Sequence, residues 1–408
     1  MSVKREVVVS NSDFITGSKH TFKLDGVVYR GYNNINAPDI RKLMFNVEKL
    51  YDIGFVRTSI APIASKQFSM VLQHETIDFI SYREEWTSKM LLDAAILMID
   101  LQTELVKNEM CLYDGHSLNI LFDYTRPVFV DFDSITSLSG SLAWFNGFYP
   151  QFVNDIAERS NEDPEYWNEL CNKTVNVEGA NRTMSNWQDA FLTLLSETRS
   201  WLSGMSVNAK VTPWSGYVQP TEELTNNKQK VTAQLLDRLY SDGMTLLDVG
   251  ANEGWYSNFA ESKGYRVVAV EIDEQCTTKL YLQAKEVNRK ILPLTFNLLK
   301  PWCADPPRKN AVDRLKCDIV LGLAVVHHMV FSQKSNFTGI ASKFNDFSKK
   351  YCIIEFPPED DVFVHNWVTP ETSWYNLDNF IAEMSKYFPK HEIFDSHPLP
   401  RKIILFEK

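Results

Sequence analysis

Nothing in the 408-residue chain approaches the run of about 18 to 20 apolar residues that a bilayer-crossing helix needs, so no membrane span is expected. Basic charge is also short. The 42 lysines and arginines face 52 aspartates and glutamates, a formal net charge of -10, which removes the attraction behind most nonspecific nucleic-acid binding. A nucleic-acid partner is therefore disfavoured. Cysteine is sparse, six residues far apart with no CxxC pair, as suits a reducing compartment. The opening MSVKREVVVSNSD lacks the pattern of a secretory leader, and the expected compartment is the cytoplasm. Phosphate-cradling motifs are missing: there is neither GxGxxG nor GxxxxGK followed by Ser or Thr. No convincing cluster of metal ligands stands out, and no metal is expected.

What is present is ordinary for a folded protein. Apolar residues make up 44% and charged residues 23%, and the length suits two domains, each with its own core. Asp25-Gly26 lies between two alternating runs and predicts a hairpin. Residues 37–54 place Ile40, Leu43, Met44, Val47 and Leu50 at helical spacing ahead of Gly54. Strand-like runs follow at FVRTSIA and FSMVLQ, then a long helix from about Glu84 to Lys107, and residues 140–205 are aromatic-rich and helical in pattern. A polar stretch with proline and glycine, NAKVTPWSGYVQPTEELTNNKQK, marks a boundary near residue 206. The expected domains are 1–205, of α+β type, and 206–408, an α/β fold in which strands alternate with helices. That alternation implies a mostly parallel sheet covered on both faces, with an antiparallel pair at its end.

In LLDVGANEGWYS an apolar strand runs into a loop holding Gly250 and Gly254 before a helix begins. Glycine serves where backbone turns sharply and approaches a ligand, although an ordinary tight turn has the same look. Glu271 ends the next strand, where a carboxylate can accept hydrogen bonds from a ribose diol, and Asn297 follows the third strand, where an amide can meet an adenine edge. A cofactor with ribose and adenine but no phosphates suits this set.

The segments LDVGANEGWYS, VVAVEID, FNLLKP, CDIVLGLAVVHHM and CIIEFPPEDD resemble, in order and spacing, the class I S-adenosylmethionine-dependent methyltransferases over residues 206–408. The resemblance implies a Rossmann-like fold with a seven-stranded sheet and S-adenosyl-L-methionine as cofactor. It places Asp248, Gly250 and Gly254, with Asn252 in the same loop, at the methionine end, Glu271 at the ribose and Asn297 at the adenine. That last position is more often aspartate in the family. The whole chain is similar to a narrower group, two-domain methyltransferases related to nodulation proteins, through its FISYREEW segment, long helix, D-x-x-x-x-N loop and PVFVDF strand.

Methyl transfer to a hydroxyl needs a positioned acceptor and a group to take its proton. His327 and His328 follow the fourth strand, and Glu355 ends its neighbour; these are the candidate catalytic residues. Other roles stay open: a histidine that packs on the cofactor, or a structural hydrogen bond for Glu355. Asp360 and Asp361 read as a solvated loop, and Trp255 as helix packing. The expected function is O-methylation of a small molecule or saccharide, aided by the first domain in acceptor recognition. A noncatalytic protein that binds S-adenosylmethionine is the alternative.

A second alternative comes from LYDGHSLNILFDYTRPVFVDFDSI, where Asp114, Asn119, Asp131 and Asp133 match the spacing of kinase-type phosphotransferases. Such enzymes use the first aspartate to receive a proton and the later asparagine and aspartate to hold magnesium. No glycine-rich phosphate loop precedes them. Arg30 stands where the usual lysine would fall, with Glu48 as its candidate partner. The first domain is thus a kinase-like scaffold for recognition, a working kinase within a bifunctional enzyme, or an unrelated fold.

Overall fold

The computed structural model describes residues 5–10, 15, 20–33, 44, 47–138, 143–160, 169, 184–207, 226–302 and 308–408. The chain divides into two compact units, one of residues 1–83, 88–208 and 306–308 and the other of residues 84–87, 209–305 and 309–408.

In the first unit, β1 (Arg5–Val7) pairs in parallel with β5 (Ile63–Ser65). A four-stranded antiparallel sheet runs in the order β2 (Thr21–Leu24), β3 (Val27–Tyr32), β6 (Met70–His74), β4 (Thr58–Ile60). Asp25 and Gly26, with φ of 50° and 83°, form the two-residue turn between β2 and β3, so Leu24 faces Val27 as the Asp-Gly pair predicts. The expected helix over 37–54 lies mostly outside the described residues. Its end is present as α1 (Glu48–Tyr51), with Gly54 at φ 123° beyond it.

The long helix α2 (Ser88–Lys107) starts four residues later than its spacing suggested, because Arg83–Glu85 takes a tighter 3₁₀ turn. It buries Met90, Leu91, Ala94, Ala95, Met98 and Leu101 and packs against α5 (Met184–Gly204), with α3 (Trp144–Phe148) and α4 (Asn154–Ser160) between them in sequence. Two short antiparallel pairs complete the unit. One joins β7 (Met110–Leu112) to β10 (Ile135–Ser137); the other is the hairpin of β8 (Ile120–Asp123) and β9 (Arg126–Phe129), turned at Tyr124 with φ 58°.

The second unit is built on a mixed seven-stranded sheet in the order β13-β12-β11-β14-β15-β17-β16. Its strands are β11 (Thr245–Val249), β12 (Arg266–Glu271), β13 (Ile291–Thr295), β14 (Cys317–Gly322), β15 (Ser348–Phe356), β16 (Lys390–Asp395) and β17 (Lys402–Glu407). The four pairings among β11 to β15 are parallel, while β17 runs antiparallel to both β15 and β16. Fully buried strand interiors such as Leu246, Leu247, Val267, Val268, Ile319, Val320, Ile353 and Ile354 explain the continuous apolar runs in the sequence. Pro293 sits within β13, an edge strand with β12 as its partner, where a missing N–H can face away from the ladder.

Helices connect the parallel strands: α6 (Asn227–Leu239) precedes the sheet, followed by α7 (Trp255–Ser262), α8 (Glu274–Glu286), α9 (Ala311–Leu315), α10 (Phe337–Phe347) and α11 (Leu377–Met384). Polar caps set several of their starts. Asn226 accepts from the Gln229 N–H while the Gln229 side chain accepts from the Asn226 N–H, and Asp273 accepts from the Gln275 and Cys276 amides. Because β11 to β15 are parallel, their carboxyl ends lie along one edge of the sheet. The order reverses between β11 and β14, the place where open α/β sheets form a ligand crevice.

Candidate functional site

At the carboxyl end of β11, Gly250 has φ 70° and Gly254 φ 82°, values that tax any side chain-bearing residue. The amides of Gly250 and Ala251 both donate to the Val270 carbonyl, tying the turn to β12. A Cβ on Gly250 would stand 2.4 Å from Val325 Cγ1, and one on Gly254 would stand 2.3 Å from Leu280 Cδ1. The first of these approaches brings the glycine turn beside the loop that follows β14. Asn252 completes the turn in the left-handed region at φ 51°, a conformation asparagine tolerates, and its Oδ1 accepts from the Glu253 amide.

Beneath the turn, Asp248 is buried at 3% exposure and accepts from the Ser257 hydroxyl at 2.6 Å. Burial pushes its carboxyl up to about 6 against that hydrogen bond, and the Glu271 charge adds to the rise. Glu271 ends β12 and accepts three backbone N–H groups: Oε2 from Asn252 at 3.0 Å, and Oε1 from Ile272 at 2.6 Å and Asp273 at 3.1 Å. Burial still raises its pKa, over the opposing effect of those three bonds. A carboxylate offers about four acceptor positions, so Oε2 keeps one for a hydroxyl. Asn297, beyond β13, accepts from the Leu299 amide at 3.0 Å through its carbonyl, and its NH₂ is the donor that this bond does not use. A turn that requires glycine, a buried acid and a carboxylate already oriented by backbone fit a nucleoside cofactor of the kind the sequence suggests.

His327 and His328 lie past β14, four and three residues before Phe331, with their ring centroids 4.1 Å apart. Trp367 lies 5.8 Å from the His327 ring in a stacked arrangement and 5.5 Å from His328 in an edge arrangement. His327 is 4% exposed and its Nδ1 has no hydrogen-bond partner among the described residues. Burial, then the neighbouring His328 and Arg401 charges, lower its pKa to about 3. His328 is lowered in the same direction by burial and by Arg401. Both rings are therefore neutral at neutral pH, although the sequence suggested groups that titrate there.

The low value at His327 has a stability consequence. Its folded pKa lies below the ordinary histidine value, so the unfolded chain takes up a proton that the folded chain refuses. This group's contribution should weaken the fold progressively as pH falls from about 6.5 toward 3 and leave it untouched above that range. Imidazole NMR should show His327 neutral down to pH 5, and an ordinary midpoint near 6.5 would contradict its burial.

Glu355, the penultimate residue of β15, has no exposed surface. It accepts from Lys228 Nζ at 2.8 Å and from the Ser396 hydroxyl at 2.5 Å, with Arg401 Nη1 3.9 Å away. Its oxygens are thus engaged in a buried network. Asp361 departs from the solvated loop expected of it: it is fully buried, and Arg401 donates to it from Nε at 2.7 Å and from Nη2 at 3.1 Å. Asp360 beside it is exposed. Trp255 stacks on Phe259 and meets Tyr256 edge-on within its own helix, as read from the sequence.

Sequence reasoning missed Lys228, Arg401 and Trp367. Lys228 stands 5.8 Å from the Tyr256 ring, and its charge is felt by both Asp248 and His327. No local spacing signals it, since Glu355 lies 127 residues away.

In the first unit, Asp114 Oδ1 accepts from the His116 amide at 3.0 Å, and buried Asn119 donates to the Asp114 carbonyl at 3.4 Å. Asp131 caps the turn that contains Asp133 by accepting from its amide at 3.3 Å. Arg30 pairs with Asp131 and Asp133, whereas Glu48, its expected partner, is exposed. Among the described residues no group of three or more His, Cys, Asp or Glu side chains could hold a metal ion, and no helix is long and apolar enough to cross a membrane.

The mixed α/β sheet, its glycine turn and the acid that ends β12 belong to a chain resembling the S-adenosylmethionine-dependent methyltransferases, in the two-domain group related to nodulation proteins. In particular, it is 23% identical over 431 aligned positions to the nodulation protein NoeA of Rhizobium meliloti (strain 1021), covering 91% of this chain and 89% of that one. No family model matches the chain. Among solved structures it is similar to the bifunctional kinase-methyltransferase WbdD, with 19% identity and a TM-score of 0.32 over 43% of this chain and 38% of that one. The magnesium protoporphyrin IX methyltransferase ChlM of Synechocystis PCC 6803, with bound SAH, gives 16% identity and a TM-score of 0.33 over 48% and 90% of the two chains. For the N-methyltransferase NodS of Bradyrhizobium japonicum WM9 the figures are 8%, 0.33, 45% and 98%. Each of these three likenesses spans less than half of this chain.

Proposed function

We propose that this enzyme, an S-adenosylmethionine-dependent methyltransferase, methylates an oxygen of a small molecule or saccharide, with the first unit contributing to acceptor recognition. The observation that supports this reading is the juxtaposition at the crevice. The loop carrying His327 and His328 runs beside Gly250, and Trp367 covers both imidazoles.

S-adenosylmethionine, when bound, supplies a methyl group on a sulfonium. Asp248, Gly250, Asn252 and Gly254 form the floor for its methionine end, Glu271 takes the ribose hydroxyls and Asn297 the adenine edge. His328 is less buried than His327 and is the ring that receives the acceptor's hydroxyl proton. His327, held neutral by burial, adds no charge beside it. Trp367 gives a flat apolar wall for the acceptor and excludes water from that side.

Incubation with labelled cofactor and fractionated metabolites, followed by mass spectrometry, tests the acceptor class. The expected product carries the methyl group as an ether or ester. His328→Ala should reduce turnover about 100-fold while cofactor affinity stays within about twofold. Normal turnover in that variant would remove the base role.

A further inference from the structure

The kinase-like spacing of Asp114, Asn119, Asp131 and Asp133 implies magnesium, which in such enzymes is held by the asparagine and the later aspartate. The residues present do not fit a metal. Arg30 Nη1 lies 3.2 Å from Asp131 Oδ1 and 2.7 Å from Asp133 Oδ2, so one cation already bridges the two carboxylates. Asp133 is further engaged: His20 Nε2 sits 2.6 Å from Oδ2, and the Tyr32 hydroxyl donates to Oδ1 at 2.6 Å. Asp131 Oδ1 also accepts the Asp133 amide. Magnesium would need carboxylate oxygens at about 2.0–2.1 Å in near-octahedral array, with several waters kept. It cannot take those oxygens while a guanidinium holds them.

The arginine is not a loose surface group that could swing aside. It is 8% exposed, extends from the centre of β3, and leaves its Nε without a partner among the described residues. Its charge reaches His74, which burial and Arg30 together hold down at about 4. Burial would raise the Asp133 carboxyl, but Arg30, Tyr32 and His20 outweigh it and hold it below the usual range. Displacing Arg30 would leave a cation in a poorly hydrated place, which is costly. Lysine in working kinases points at nucleotide phosphates and pairs with a helix glutamate, but here the candidate glutamate, Glu48, is exposed.

We propose that Arg30 is a built-in cation in the place of magnesium, so that the first unit keeps its acidic pair closed, holds any ligand metal-free and transfers no phosphate. Beside the pair, a cavity of about 330 Å³ lined by His20, Gly31, Tyr32, Asn33, Phe68 and Asp133 leaves room for such a ligand. The inference concerns the first unit alone and does not depend on the methyl-transfer reading.

The test uses the full chain, with Mn²⁺ as a paramagnetic probe and isotope-labelled ATP with magnesium as the second probe. In wild-type protein the Mn²⁺ titration should be unchanged by Asp133→Asn, and no labelled phosphate should be released or transferred. Arg30→Met removes the cation that bridges the two carboxylates, leaving Asp133 its neutral donors, and should bind Mn²⁺ at least about tenfold more tightly than wild type. Circular dichroism establishes whether that variant folds; if it does not, the wild-type and Asp133→Asn titrations decide. Wild-type Mn²⁺ binding that Asp133→Asn weakens, ATP turnover by the wild type, or a folded Arg30→Met with no gain would each overturn the proposal.

Discussion

Gly250→Val should lower affinity for S-adenosylmethionine about 100-fold or more, as measured by titration calorimetry. At φ 70° a β-branched residue is held where L side chains are strained, and its Cβ would meet Val325 Cγ1 at 2.4 Å. Left-handed strain and overpacking together cost about 3 kcal/mol, which the free turn sheds by shifting and must take up again to bind, and about 1.4 kcal/mol corresponds to tenfold in affinity. A turned Val325 side chain would relieve the clash but not the left-handed strain, and relief of both moves the turn away from its place, which displaces the backbone proposed to face the cofactor. Gly26→Val is the matching control. That position has φ 83° but nothing within 4 Å of a Cβ, so it should lower stability and leave cofactor affinity alone. Equal affinity in wild type and Gly250→Val, with the fold intact, would remove the site assignment.

The second large effect is expected at Arg401. This residue is 6% exposed and holds Asp361, which has no exposed surface, through two hydrogen bonds; Glu355 lies within reach of its other nitrogen. Arg401→Met strands the Asp361 carboxylate in the interior, at a cost of about 3–5 kcal/mol. For a unit of this size, that corresponds to a melting temperature lower by about 10 °C in scanning calorimetry. Asp361→Asn combined with Arg401→Met should recover part of the loss, because the stranded charge is gone while Lys228 still serves Glu355.

The pH dependence follows the same ion pair. Burial alone would raise the Asp361 carboxyl, but the Arg401 hydrogen bonds and charge, with the Phe363 amide, hold it below its ordinary value. Its stabilisation is therefore complete above the ordinary aspartate range and is lost as pH falls below about 4 through the folded value. A melting shift of only about 1 °C in Arg401→Met would mean that the network contributes little to stability.

Local signals carried much of the architecture. Asp25-Gly26 gave its hairpin because both residues accept positive φ, and the apolar runs of β11, β12 and β14 were readable because strands buried on both faces need no alternation. The glycine turn was equally visible, since its backbone demands show in residue type. Pairings across long stretches of chain were not. Arg30 meets Asp131 over 101 residues, Lys228 meets Glu355 over 127, and Arg401 meets Asp361 over 40. Read locally, each of these is one more charged residue that could face water. Burial also separated the histidines from their ordinary titration range, a change that depends on what packs over them and leaves no mark in HHM itself.

Pro293 lies within β13 at one margin of the seven-stranded sheet, and β16 at the opposite margin carries Lys390, His391, Glu392 and Asp395. Both flanks thus resist recruitment of a stray strand, one through an absent donor and the other through clustered charge. A sheet this apolar in its middle is therefore guarded at both sides against the strand addition from which fibrous aggregates grow.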